Sequence, residues 1–267
     1  MGNTDRALRW LFRAGYGTVF LLLVAPVVVV TATSLSATTA VTFPPTDLSF
    51  RWYTTLFTQR VWMQAVQNSL LTAGGTAVFS TGLGVAGALG ARHLSDRSQI
   101  AVSGLVLVPL LVPGVVLGVS LLIFFSRFGL QQRLSTIVLA HALWATPLTF
   151  SVMRATFSRF DWQLQEAAMD LGASRLRAFR EVVVPNTVSG LIAAAAIAFV
   201  VSLQEFIMAL FLSGRETRTI PVESWFALRG SLSPLVSVAS TLLVGAVVLT
   251  LIIAATAIGL ERVADDT

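Results

Sequence analysis

Six apolar stretches long enough to cross a bilayer punctuate the chain, and no other feature restricts its fold so strongly. They run approximately over residues 11–34, 65–91, 100–125, 135–153, 186–212 and 235–260, where a membrane helix needs about 20 residues. A soluble domain would need a polar exterior. With 55% hydrophobic and 12% charged residues and a mean hydropathy of +0.80, the sequence has too few charges to make one. The expectation is an all-α membrane protein of six transmembrane helices.

The first stretch follows Arg6, Arg9 and Arg13 and precedes the small residues Ala37 and Ala40, the order seen in a signal peptide. Its apolar run exceeds the roughly 7 to 15 residues of a signal core, so it is expected to stay as an uncleaved helix. All 18 basic residues are arginine. With six spans and the N-terminus inside, the cytoplasmic side would hold Arg6, Arg9, Arg13, Arg92, Arg97, Arg154, Arg159, Arg175, Arg177, Arg180 and Arg262. The opposite side would hold the smaller set of Arg51, Arg60, Arg127, Arg133, Arg215, Arg218 and Arg229. That bias predicts a multi-pass protein with both termini cytoplasmic.

Three segments follow. Residues 1–64 comprise the N-terminal end, the first helix and an external loop with Pro44, Pro45, Trp52, Tyr53 and Trp62 as interfacial anchors. Residues 65–260 form a five-helix core with a cytoplasmic loop at 154–185, and residues 261–267 form a cytoplasmic tail. No repeat of 20 to 50 residues and no inverted similarity between the halves is visible, which weighs against solenoids and repeat-built secondary transporters.

The absence of cysteine excludes disulfides, thiolate metal sites and cysteine nucleophiles. The histidines, His93 and His141, stand on different segments, so no metal site is expected. A net charge of +5 with no basic tract among exposed aromatics gives no nucleic-acid partner. No serine-histidine-acid set, paired carboxylates or phosphate loop occurs, so the chain is not expected to be an enzyme.

Gly82, Gly84 and Gly87 match a dinucleotide fingerprint, but they fall inside an apolar run where helix amides are already bonded, so the match is accidental. Gly82, Ala86 and Gly90 recur every four residues and predict a flat packing strip, as do Gly114 and Gly118. Pro109, Pro113 and Pro147 leave carbonyls without amide partners, which membrane helices tolerate where protein or a water-lined cavity supplies replacements. A place on a solute pathway and a plain kink are both open for them.

The most informative segment is 161–185. Residues 165–171 are rich in helix formers and end at Gly172, which suits a left-handed turn. Ser174 can cap a second helix that runs toward Pro185, the expected breaker before the fifth span. A polar helix pair of this size is too long for a connector and is shaped to enter a partner's groove.

In this segment Glu166, Ala167 and Ala168, then Gly172, then Val182, Val184 and Pro185 stand at the spacing Glu-Ala-Ala, three residues, Gly, nine residues, Ile-x-Leu-Pro. The sequence therefore resembles the permease subunits of binding-protein-dependent ATP-binding-cassette importers. Valine replaces isoleucine and leucine at two of the positions. The likeness runs from Asn68 into the sixth span and looks nearest to the polyamine-type branch, through 109–122, 141–147, 202–206 and Ile220, Pro221 and Val222. That branch also includes permeases for amino acids, opines and aminophosphonates.

The resemblance implies a coupling helix pair between helices 4 and 5 that docks on an ATPase, with Glu166, Ala167, Ala168, Asp170, Gly172, Ala173, Arg177 and Pro185 as the coupling residues. In it Glu166 pairs with a partner base, the alanines allow close approach and Gly172 provides the turn. It also implies an ATPase dimer that holds ATP and magnesium, a second homologous permease subunit and an extracytoplasmic solute-binding protein. This chain would bind no cofactor and would sit in the bacterial inner membrane. A secondary transporter or channel without ATPase partners is the rival reading.

Glu205 falls near the middle of the fifth apolar run, where a carboxylate costs about 2.5 to 3.5 kcal/mol. With Gln204 it could bind an amine of a passing solute or close a gate. A structural partnership with an arginine or backbone group is the alternative. Gln204 departs from the two acidic residues that polyamine-type relatives often carry there, which argues against a highly cationic polyamine. His141 and Trp144 share a face of the fourth span and could line a cavity or pack helices together, and Pro113 completes the pathway candidates.

Overall fold

The computed structural model describes residues 3–39, 41–230 and 233–265, with side chains described between 10 and 259. Ala40, the side chains of Arg6, Arg9 and Arg262, and the end of the 261–267 tail lie outside the described residues. The elements are α1 (Asn3–Ser34), α2 (Arg51–Thr58), α3 (Arg60–Ala91), α4 (Asp96–Leu111), α5 (Gly114–Ser126), α6 (Leu134–Arg159) and α7 (Gln163–Asp170). After them come α8 (Arg175–Ala178), a π-helical turn (Phe179–Val183), α9 (Val184–Asn186), α10 (Val188–Gln204), α11 (Ile207–Leu212), α12 (Ile220–Gly230) and α13 (Pro234–Asp265). Among the described residues the one β-like feature is an isolated bridge between Ser36 and Leu48.

Helices α1, α3, α6 and α13 each contain an unbroken stretch apolar and long enough to cross a membrane. Two bent pairs accompany them: α4 with α5, at 93°, and Arg175–Asn186 with α10, at 75°. Counting each bent pair as one crossing gives six.

The third and fifth apolar runs are thus not the continuous helices expected. Val112, in extended conformation at φ −85°, ends α4, because the residue before a proline is driven out of the helical region. The fifth run bends at Thr187 and stops again at Glu205, whose ψ of 125° is extended. Pro185 is not where the run bends: it lies inside the continuous helical stretch Arg175–Asn186, two residues before the bend at Thr187. Helix α6 continues to Arg159, so Arg154 and Arg159 are helical rather than part of a loop. The expected external loop contains α2 and the start of α3, and α12 was not foreseen.

The chain forms two compact units, one of Met1–Met63 with Ser224–Ala246 and one of Gln64–Glu223 with Val247–Thr267. In the first, the Thr33 hydroxyl donates to Ser237 Oγ at 3.1 Å, and Ser34 Oγ meets the Tyr53 hydroxyl at 2.8 Å. The Trp52 indole donates to the Thr38 carbonyl, and the Arg51 guanidinium lies 4.3 Å from the Trp52 ring centre. Most of the described side chains of α1 are exposed, including Trp10, Phe20 and Leu22.

In the second unit α6 is the central helix. Its Phe150, Met153 and Phe157 pack with Ala88 and Ala91 of α3, Val183 of the π-turn and Ala194 of α10. Toward its start, Ile137 and Ala140 pack with Phe125, Met208, Ala209, Leu212 and Val222. Lipid supplies no hydrophobic drive for helix association, so close approach at small residues carries the cohesion. A side chain on Gly84 would come within 2.8 Å of the Phe150 backbone nitrogen, and one on Gly87 within 3.1 Å of the Phe150 ring. The expected strip of Gly82, Ala86 and Gly90 does not pack within this chain: Gly82 and Gly90 have no atom within 4 Å of a built Cβ, and Ala86 is exposed. Gly114 and Gly118 do pack closely, against Trp144 and Phe211. The segment before α12 is pinned to α3 by Asn68, which donates to the carbonyls of Glu216 and Arg218, both at 2.9 Å.

Candidate functional site

Two groups of residues could carry function, a helix pair at one end of the second unit and a buried polar cluster within it. The pair begins at Asp161, whose side chain accepts from the Gln163 amide at 3.0 Å and opens α7. Trp162 anchors that start. Its indole donates to the Phe157 carbonyl, its ring meets Phe160 edge-on at 4.9 Å, and Arg92 lies 3.4 Å above it.

At the other end of α7, the Ala173 amide bonds the Ala168 carbonyl and the Gly172 amide bonds the Met169 carbonyl. With Gly172 at φ +93° this is a Schellman turn, as the glycine suggested. Ser174 then accepts from the Arg177 amide and caps α8, also as expected.

The coupling candidates are brought together here. No residue of α7 is buried, and Glu166, Ala167, Asp170 and Gly172 are exposed, with Ala168 and Ala173 half-buried. Leu171 at the tip is 91% exposed, and Leu164, Met169 and Leu176 are exposed as well. Arg177 is held by both oxygens of Glu181 at 3.0 Å, while Pro185 is exposed two residues beyond the buried Val183. Burial and the neighbouring Arg175 lower the pKa of the Arg92 guanidinium, and Glu166 opposes them, so the pair feels the end of α3 electrostatically. Trp162 and Arg92 were not singled out from sequence. The signal available was an aromatic just before the pair and a cation just after an apolar run.

The pathway candidates separate. His141 is fully buried, with Nδ1 2.7 Å from Ser202 Oγ, which in turn donates to Thr76 Oγ1 at 3.2 Å. Its Nε2 lies 3.1 Å from a Glu205 oxygen, at ion-pair distance but without the alignment of a hydrogen bond. Glu205 does not stand in mid-helix. It sits at the break before α11, where its two oxygens accept the Met208 and Ala209 amides at 2.9 and 3.0 Å. The carboxylate thereby caps a helix whose first amides have no carbonyl partner. Gln204 is exposed beside it, Pro113 is exposed at the α4–α5 break, and the Trp144 indole donates to the Pro109 carbonyl at 3.1 Å. Thr76 was not singled out in sequence, and Ser202 only as the start of the family-like stretch 202–206, because small hydroxyls are common in membrane helices.

Among the described residues the chain thus combines unbroken and bent helices long and apolar enough to cross a membrane with an exposed polar helix pair. The fold matches the crystal structure of a bacterial ABC transporter involved in the import of the acidic polysaccharide alginate, with a TM-score of 0.69 over 97% of each chain at 18% identity. Residues 80–260 match the family described as binding-protein-dependent transport system inner membrane component. The chain is 30% identical over 235 residues to the putrescine transport system permease protein PotI of Escherichia coli (strain K12), covering 85% of this chain and 83% of the relative. It is 27% identical over 193 residues to the spermidine/putrescine transport system permease protein PotC of the same strain, covering 72% and 73%. The chain belongs to this family of inner-membrane permeases of binding-protein-dependent ABC importers.

Proposed function

We propose that the chain forms half of the translocation pathway for a small amino compound of the polyamine type, and that α7 and α8 couple it to an ATPase. A second permease subunit completes the pathway, a binding protein delivers the solute, and two ATPase subunits hold ATP and magnesium. In this reading residues 65–260 carry transport, residues 1–64 flank it, and both termini and α7 face the cytoplasm.

One observation carries the coupling assignment: α7 buries none of its residues and presents Leu171, 91% exposed, at a rigid Schellman tip. An exposed apolar tip beside Glu166 is the form of a helix that fills a partner's groove. The names of the relatives PotI and PotC support the solute class. The fully engaged Glu205 and the neutral Gln204 favour a solute of low positive charge over a long polyamine.

The test is co-purification of the chain with its ATPase and binding-protein-stimulated ATP hydrolysis in liposomes. Glu166→Arg and Leu171→Glu are expected to release the ATPase while leaving the chain folded. Retention of the ATPase by both variants, or uptake by a complex that has none, removes the coupling role. Stimulation by spermidine in preference to putrescine or amino acids overturns the low-charge solute.

A further inference from the structure

At the end of the second unit that carries α7, the last turns of α3 and α6 and the length of α4 enclose a cavity of about 770 Å³. Its polar wall is made by Arg92, Gln99, Ser103, Arg154 and Ser158, and its apolar wall by Ala88, Leu107 and Phe150. Among the described residues no acidic side chain lines it.

Both cations are held in place. Arg92 is stacked on Trp162 at 3.4 Å, and Arg154 donates to the Ser103 hydroxyl. Among the described residues neither guanidinium has a carboxylate within ion-pair distance. Two fixed guanidinium groups in a concave site with no carboxylate in its wall, Glu166 acting on Arg92 only from beyond ion-pair distance, create a local field for an anion. Their forked donors match the oxygens of phosphate.

Helix α4 buries none of its residues, and beside the cavity-lining Gln99, Ser103 and Leu107 its Ile100 and Leu111 are 73% and 81% exposed. An apolar flank thus leads away from a basic, hydroxyl-lined cavity. Basic pockets between membrane helices are the usual seats of anionic lipid headgroups.

We propose that this cavity binds a phosphate group, presented by the headgroup of an anionic phospholipid whose chains lie along α4. The charge on that phosphate must not be balanced by the lipid's own cation, so phosphatidylglycerol is bound and phosphatidylcholine is not. The same pair of guanidinium groups would accept free phosphate from the cytosol. The two sources differ in whether the apolar flank contributes. The site goes beyond the coupling role and depends on neither the ATPase nor the solute.

The test is native mass spectrometry of the full chain, with whatever subunits co-purify, titrated in detergent with phosphatidylglycerol, phosphatidylcholine or inorganic phosphate. Phosphatidylglycerol is expected to stay bound, and Arg92→Gln combined with Arg154→Gln to weaken it about tenfold or more. Arg159→Gln, an exposed arginine outside the cavity wall, is expected to leave it unchanged. Should the double variant fail to fold, Arg154→Gln alone gives the reading, since that residue is exposed. Inorganic phosphate that displaces phosphatidylglycerol and binds as tightly would keep the site and assign it to the free anion. Equal retention of the two lipids, or full affinity in the arginine variants, overturns the proposal. The readout is lipid mass on this chain, so its failure is distinct from loss of the ATPase.

Discussion

The chain interrupts two of its apolar runs, at Pro113 and at Glu205, and the two breaks leave opposite kinds of debt. At Pro113 the missing amide leaves the Pro109 carbonyl with only the long 3.4 Å bond from the Val112 amide, and a donor from another helix, the Trp144 indole, meets it at 3.1 Å. At Glu205 the new helix α11 strands donors, and the Glu205 carboxylate meets the Met208 and Ala209 amides at 2.9 and 3.0 Å. The segments beyond the breaks, α5 and α11, then pack on one another, with Phe211 set over Gly118. Irregular backbone survives at membrane depth where protein supplies the lost partner, and that partner's chemistry follows from which half of the hydrogen bond was lost.

The comparison can be broken most severely at Glu205. Replacing it by alanine leaves the buried Met208 and Ala209 amides without their acceptor, so Glu205→Ala is expected to destabilise by about 2 to 4 kcal/mol in denaturant unfolding. A loss below 1 kcal/mol would mean that the cap is dispensable. Next comes the shared contact. Gly118→Leu must displace the Phe211 ring, whose Cδ2 lies 2.6 Å from a built Cβ, and is expected to cost about 1 to 3 kcal/mol. Phe211→Ala in the same chain should recover part of it.

Trp144→Phe keeps the bulk but removes the indole donor, for an expected loss of about 1 kcal/mol. Pro113→Ala restores an amide four residues after Pro109 and should itself change stability by less than about 1 kcal/mol. The pair sharpens the comparison through a double-mutant cycle: in the Pro113→Ala background, Trp144→Phe should lose most of its effect. Additive losses would show that the indole does not serve the proline break.

Legibility followed the range of the interaction. The Schellman end of α7 and the Ser174 cap were readable because each involves residues within five positions, and Gly172 announces its own backbone angle. The Pro113 break was half readable. The proline shows that a carbonyl is stranded but not that Trp144, on another helix, will serve it.

Glu205 was misplaced in mid-helix because an apolar run does not reveal where its helix ends. The cap depends on backbone that turns only when α11 packs against α5 and α6. The glycines erred for the same reason. Periodicity shows which residues share a face, but Gly84 and Gly87 rather than Gly82 and Gly90 meet α6, and that choice is made by α6.

The amino-acid sequence by itself determined an all-helical membrane chain, the number of its apolar runs and the exposed helix pair at 161–185, because run length and local turn chemistry need no neighbour. Tertiary structure decided where two runs break, which helix face is flat, and that Glu205 is bound to backbone and histidine. Those outcomes depend on donors and acceptors brought together from distant parts of the chain, and no local pattern encodes which of them will meet.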